Sequence, residues 1–236
     1  SAGEVDSYLD RLQRLVVEFD INYLIPTSET ETEAISNHID LFKDIHVIYC
    51  ANSLDMSDDI IKKNEEDYLL FVGGSSKRKN LKNLISAFIG LNHKHTKLKI
   101  VGNIVKHLSS DNLAVHSNIE YLGNVSNDEL TKLYSNARML VFPSFYEGFC
   151  LPPLEAMSCG CPVIISDIPV LRELYADSVL YTNPHDVEDI KNMILKLLND
   201  AQLRNHLIEV GLKQSEKYSW ENSSKQIIDL IEDLSK

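Results

Sequence analysis

From about residue 67 the chain alternates short apolar-rich runs with amphipathic segments, and no other feature limits its fold as strongly. The runs are Leu69–Val72, Leu98–Val101, Ile119–Leu122, Met139–Phe142, Val163–Ile165 and Val179–Tyr181. Each is too short for a stable helix and reads as a buried strand. Between them lie segments with helical spacing, such as Leu81, Leu84, Ile85, Phe88 and Ile89, or Leu130, Leu133, Tyr134 and Ala137. Strands alternating with amphipathic helices imply βαβ units and a parallel sheet covered on both faces. Right-handed crossovers make it an α/β, doubly wound, Rossmann-like sheet of about six strands. Ligands of such sheets bind beyond the carboxyl ends of the strands.

After the last strand, two long helices are expected near Asp186–Leu198 and Gln202–Lys217. A break at Ser219-Trp220 precedes a terminal amphipathic helix carrying Ile227, Ile228, Leu230, Ile231 and Leu234, with Trp220 as its packing anchor. The first 65 residues differ. Val5, Leu9, Leu12, Val16 and Phe19 form one helical apolar face. Ile21–Ile25 and Ile45–Tyr49 read as strands, Thr27-Ser28-Glu29 as a helix start, and Asp55–Asp67 as a polar linker. So few elements are too little for an independent domain. The expected division is 1–65 as the remnant of a preceding domain plus linker, 66–218 as the Rossmann-like domain, and 219–236 as a helix packing back toward the N-terminal part. The opening Ser1-Ala2-Gly3 reads as an added remnant, not a native start.

Charge narrows the partners. A formal net charge of −12 argues against general nucleic-acid binding and against a polybasic membrane patch. Residues 1–70 hold 16 acidic and 5 basic side chains, whereas residues 71–110 hold basic side chains and no acidic one. That basic stretch is either a solvated helix face or a local anion site. No run approaches the ~20 apolar residues of a membrane span, and no signal peptide opens the chain. Cys50, Cys150, Cys159 and Cys161 lack disulfide-scaffold density and paired C-x-x-C spacing, so a reduced cytoplasmic setting is expected.

Two segments can carry chemistry. In Phe71-Val-Gly-Gly-Ser-Ser-Lys-Arg-Lys-Asn80 a strand runs into a glycine turn and a basic helix start. Gly73 and Gly74 allow close backbone approach, helix N–H groups attract anions, and Lys77, Arg78 and Lys79 add charge at the same place. A diphosphate suits such a turn; a plain strand–turn–helix is the alternative. The spacing is neither the three-glycine dinucleotide fingerprint nor a Walker A loop. The second segment is Phe142-Pro-Ser-Phe-Tyr-Glu-Gly-Phe-Cys-Leu-Pro-Pro-Leu-Glu155-Ala-Met. Glu147 and Gly148 fall in a loop after a strand, Pro152-Pro153 suit the first position of a helix, and Gly160 suits its end. That places Glu155 in the first helical turn, beside Glu147. Paired carboxylates accept hydrogen bonds from vicinal hydroxyls of sugar or ribose. For Glu155 a helix-dipole contact is an equally complete account.

The ordered set of motifs is more specific than either segment. Glu147-x7-Glu155, with its flanking Phe-Tyr-Glu-Gly-Phe and Leu-Pro-Pro-Leu-Glu-Ala-Met, resembles the E-x7-E element of glycosyltransferase family 4. Arg78-Lys79-Asn80-Leu81, Tyr121-Leu-Gly-Asn-Val125, Cys159-Gly-Cys-Pro-Val-Ile-Ile165, Ile168-Pro-Val-Leu-Arg-Glu173-Leu and Tyr218-Ser-Trp220 match in the same order. The similarity covers about residues 45–235. It implies the C-terminal, nucleotide-sugar-binding half of a retaining enzyme of GT-B architecture, metal-independent and without a cofactor. By that resemblance Lys79, helped by Arg78, pairs with the diphosphate of a UDP- or GDP-sugar, Glu155 takes the ribose hydroxyls, and Glu147 a hydroxyl of the transferred sugar. Backbone N–H groups of Gly148, Phe149, Cys150 and Leu151 contact sugar and phosphates, and the loop around Gly123 and Val125 lies against the base. Ser144 either flanks the crevice or is a solvated loop serine.

Departures from the family pattern are specific. Gly74 stands where many relatives have arginine, so Arg78 supplies that charge from nearby. Cys150 replaces a common glycine and is expected to narrow the sugar pocket. Tyr49-Cys50-Ala51-Asn52 replaces the usual Pro-Asn-Gly, which suggests an altered domain junction. The family's acceptor domain and catalytic histidine are expected upstream of residue 1, with a glycan or lipid-linked acceptor bound there; the whole enzyme is then cytoplasmic or peripheral at the inner membrane face. Two alternatives stay open: a non-catalytic nucleotide-sugar-binding subunit that needs a separate acceptor-domain chain, and a retaining hydrolase using Glu147 and Glu155.

Overall fold

Tyr68–Val72 (β3) is apolar along its whole length because helices cover both of its faces, and its neighbour Met139–Phe142 shares that property. The computed structural model describes residues 10–15, 23–24, 46–47, 67–103 and 116–234. Within 67–234 the strands are β3, β4 (Lys97–Val101), β5 (Ile119–Gly123), β6 (Met139–Phe142), β7 (Val163–Ser166) and β8 (Leu180–Thr182). All neighbouring pairs are parallel. All six runs read from sequence are strands, with ends shifted by a residue or two.

Spatial order is β5-β4-β3-β6-β7-β8. The chain winds outward from β3 through β4 to β5, crosses back to β6 beside β3, and then winds the other way. The direction reverses between β3 and β6, and at such a switch point the loops leave the sheet in opposite directions and open a crevice. Leu69 pairs with Met139 and Leu70 with Leu140 across that line.

The helices are α1 (Leu81–Gly90), α2 (Asn127–Asn136), α3 (Leu151–Ser158), α4 (Pro169–Tyr175), α5 (Val187–Asn199), α6 (Ala201–Ser215) and α7 (Trp220–Leu234). α1 packs on α5, while α3 packs on α2 and α6. Ile190, Ile194 and Leu197 of α5 are fully buried at the spacing of one helical face. Local sequence fixes the helix starts. Ser126 and Glu129 form a reciprocal capping box on α2, and Asp186 and Asp200 accept from first-turn amides of α5 and α6. α3 ends where the amides of Gly160 and Cys161 bond back to the carbonyls of Met157 and Ala156.

Near the N-terminus, residues 10–15 are helical, and Tyr23–Leu24 (β1) pairs in parallel with His46–Val47 (β2). These pieces fall inside the expected helix and strands. The expected helix start at Thr27, the junction around Asn52 and the side chain of Trp220 lie outside the described residues.

Candidate functional site

The crevice is built from loops at the carboxyl ends of β3, β4, β5 and β6. After β3 the chain turns at Gly73-Gly74, makes a 3-10 turn over Lys77–Lys79 and enters α1 through Asn80, whose φ of 55° is left-handed. The loops after β3 and β4 are stitched together: Gly73 donates to the Val101 carbonyl at 2.8 Å and Ser75 to that of Asn103 at 3.3 Å. Gly102 tolerates no side chain. Its φ is +124°, and a Cβ there would fall 2.5 Å from the Gly73 oxygen. Gly102 also donates to the Gly123 carbonyl at 2.8 Å, which ties in the loop after β5.

Asn80 joins three loops from a buried position. Its Nδ2 donates to the carbonyls of Pro143 at 2.8 Å and Pro184 at 2.7 Å, and the Phe145 amide donates to the Arg78 carbonyl at 2.9 Å. The β3 loop and the β6 loop are therefore tied together by hydrogen bonds across the switch point.

Glu147 is the centre of the site and is wholly buried. Arg78 Nη1 lies 2.5 Å from its Oε2, and Lys79 Nζ lies 3.1 Å from its Oε1. Arg78 Nη1 also donates to the Tyr146 carbonyl at 3.3 Å, and its guanidinium sits 5.9 Å from the Tyr146 ring. Lys79 Nζ lies 4.7 Å over the Phe142 ring. A buried carboxylate needs such compensation. Two cations thus converge on this one carboxylate. Arg78 thus brings a guanidinium to the crevice although Gly74 occupies the place where an arginine was expected. The sequence reading gave the cations and Glu147 separate partners; in the structure they hold one another.

Glu155 is the fifth residue of α3, because the helix starts at Leu151 and not at the prolines. It therefore stands beyond the first turn, which weakens the helix-dipole account. Its Oε2 accepts a hydrogen bond from the Tyr134 hydroxyl at 2.9 Å. Burial raises its pKa above the ordinary carboxylate value, against the lowering effect of the tyrosine bond.

Gly148 is buried, and the Phe149 ring meets Tyr218 edge-on at 5.5 Å, so the Phe149 side chain is spent on packing. Cys150 has φ 63° and ψ 79°, a left-handed conformation for a non-glycine residue, and is buried. The demand at this position is conformational, which explains why glycine is the residue expected there. Val125 packs against the core beside Gly123, at the mouth of the β5 loop. Ser144 is completely buried, not solvated, and its Oγ has no hydrogen-bond partner among the described residues. Among the described residues, no group of three or more His, Cys, Asp or Glu side chains is placed to hold a metal ion.

Residues 54–214 match the model of the glycosyl transferases group 1. The chain belongs to that family. It is 34% identical over 208 residues to the O-antigen chain mannosyltransferase RfbU of Salmonella typhimurium, covering 83% of this chain and 58% of that protein. It is 36% identical over 177 residues to O-antigen chain mannosyltransferase B of Escherichia coli, covering 69% and 45%. The chain thus spans about half the length of these relatives. Among solved structures, sucrose-phosphate synthase from Thermosynechococcus elongatus superposes with a TM-score of 0.73 at 24% identity, covering 90% of this chain and 58% of that one. Anabaena HepE, in complex with UDP and glucose, superposes at 0.72 with 18% identity, covering 94% and 66%. The doubly wound sheet therefore has the Rossmann-like fold found in GT-B glycosyltransferases.

Of the predicted site residues, Arg78, Lys79 and Glu147 meet directly, Gly73 and Gly123 are joined through the Gly102 loop, and Gly148, Phe149, Cys150 and Leu151 lead from Glu147 into α3. Asn80, Gly102, Tyr134 and Tyr175 were not singled out as site residues. Tyr134 was read as one position of a helical apolar face, which is correct for its ring and silent about its hydroxyl.

Proposed function

We propose that this chain is the donor-binding part of a retaining, metal-independent glycosyltransferase that moves a sugar from a UDP- or GDP-sugar to a glycan or lipid-linked acceptor in polysaccharide biosynthesis. The observation that carries the reading is the Arg78–Lys79–Glu147 cluster at the β3/β6 switch point. Its paired cations suit a diphosphate, and its buried carboxylate suits a sugar hydroxyl. Glu155, held by Tyr134, takes the ribose hydroxyls, and the amides between Gly148 and Leu151 bind sugar and phosphate oxygens. The names of the O-antigen mannosyltransferases support a glycan product, and the UDP and glucose in the HepE structure support a nucleotide-sugar donor.

Cleavage of the anomeric bond leaves negative charge on the nucleoside diphosphate. Fixed cations and helix N–H groups stabilise that charge more in the transition state than in the ground state. Each charge-assisted hydrogen bond contributes about 1.5–3 kcal/mol. The cation pair does the work that a divalent metal does elsewhere. Glu147 orients and polarises the sugar. The test is calorimetric titration of this chain with UDP, GDP and ADP, free and sugar-linked. Saturable binding of one uridine or guanosine diphosphate is expected; no binding of any of them removes the assignment. The chain alone is expected to transfer little sugar, because the acceptor wall of the cleft belongs to the other half.

A further inference from the structure

Behind the loop 148–151 lies a buried phenol that the mechanism above does not use. Tyr175 ends α4 and is 1% exposed. Its hydroxyl donates to the Cys150 carbonyl at 2.5 Å and lies 3.4 Å from the Phe149 carbonyl. In a trans peptide the N–H points opposite to the C=O. Drawing the carbonyls of Phe149 and Cys150 inward therefore turns the N–H groups of Cys150 and Leu151 outward. Those two amides matter because Pro152 and Pro153 remove the N–H groups that the first turn of α3 would otherwise present. The arrangement has a cost to offset, since Cys150 is held at φ 63°. The surroundings brace the phenol. Tyr218 packs on the Phe149 ring, and the Tyr218 hydroxyl and Gln214 Nε2 converge on the Leu174 carbonyl at 3.0 and 2.5 Å. Burial, reinforced by Cys150, Tyr218, Glu147 and Glu155, drives the Tyr175 pKa well up, which keeps the hydroxyl a donor at working pH.

We propose that Tyr175 is the positioning residue of the donor loop: its hydroxyl holds Cys150 in the left-handed conformation and so aims the Cys150 and Leu151 amides at the nucleotide sugar. This rests on the reading of that loop as part of the donor site. The experiment compares four proteins: wild type, Tyr175→Phe, Cys150→Gly and the double variant. Each is titrated with UDP and with GDP, and amide hydrogen exchange is followed without nucleotide. Tyr175→Phe is expected to weaken nucleotide binding about five- to tenfold and to speed exchange at residues 149–151 while the strands of the sheet keep wild-type protection. In the Cys150→Gly background the same change is expected to cost less, because glycine adopts the left-handed conformation without strain. An equal cost in both backgrounds, or unchanged affinity and exchange in Tyr175→Phe, overturns the proposal. If Tyr175→Phe also loses protection throughout the sheet, Tyr175 is a general core residue and the proposal is likewise overturned. Wild-type protein that binds neither nucleotide overturns the donor-site reading on which the proposal rests, and loop exchange separates that failure from a failure of the positioning role.

Discussion

Glu147 receives two cations, and that fact sorts the expected mutant phenotypes. Glu147→Gln removes the negative charge on which the two cations converge, so UDP or GDP without a sugar is expected to bind a few-fold tighter while sugar transfer by the complete enzyme collapses. Titration and a transfer assay on the same variant check the split. Lys79→Ala removes a charge-assisted contact and is expected to weaken the nucleotide about ten- to a hundredfold; wild-type affinity in calorimetry would count against the cluster as an anion site. Glu155 gives a pH signature. Its pKa is raised by burial, so its ionised, hydroxyl-accepting form is lost as pH falls through a window above 4.5. Nucleotide affinity is expected to decline there, and Glu155→Gln to flatten the profile. Lys79, Glu147 and Glu155 were visible in the sequence as candidates because each belongs to a motif of the family pattern. Tyr134 and Tyr175 were not, because their hydroxyls reach across 21 and 25 residues and periodicity reports a face, not where the tip of a side chain goes.

At the level of elements, β3, β6 and β7 were legible because burial on both faces leaves short apolar runs, β4 and β5 because they repeat the same spacing although Lys99 and Glu120 interrupt them, and the helices because their caps and periodicity agree. The start of α3 was misplaced for a definable reason. Proline is favoured in a first turn, but here it occupies the second and third positions, after Leu151 and a left-handed Cys150 that cysteine does not advertise. The loop after β4 gives a paired prediction. Gly102→Ala puts a methyl group against the Gly73 carbonyl and is expected to cost about 2–3 kcal/mol and to loosen the nucleotide loop with it. Gly123 has φ +67° but open space where a Cβ would go, so Gly123→Ala is expected to cost only about 1 kcal/mol. Urea unfolding of both variants tests the contrast. Similar losses would mean that the stitching between the two loops is unimportant.

For the molecule as a whole, α/β winding followed from the alternation of strands and amphipathic helices, and GT-B architecture and family from the order of the motifs, whereas the mutual pairing of Arg78, Lys79 and Glu147 required the tertiary arrangement. That pairing crosses a long stretch of chain. β3 and β6 are neighbours in the sheet, yet Arg78 and Glu147 are 69 positions apart, with α1, β4, β5, α2 and β6 between them. Closing so wide a loop must precede any reward from it. A nascent chain that has released β3 but not β6 therefore carries a bare pair of cations and no pocket. Refolding monitored by fluorescence and by nucleotide capture should show capture recovering only in the slowest major phase, which makes ligand competence a report on the completion of the sheet.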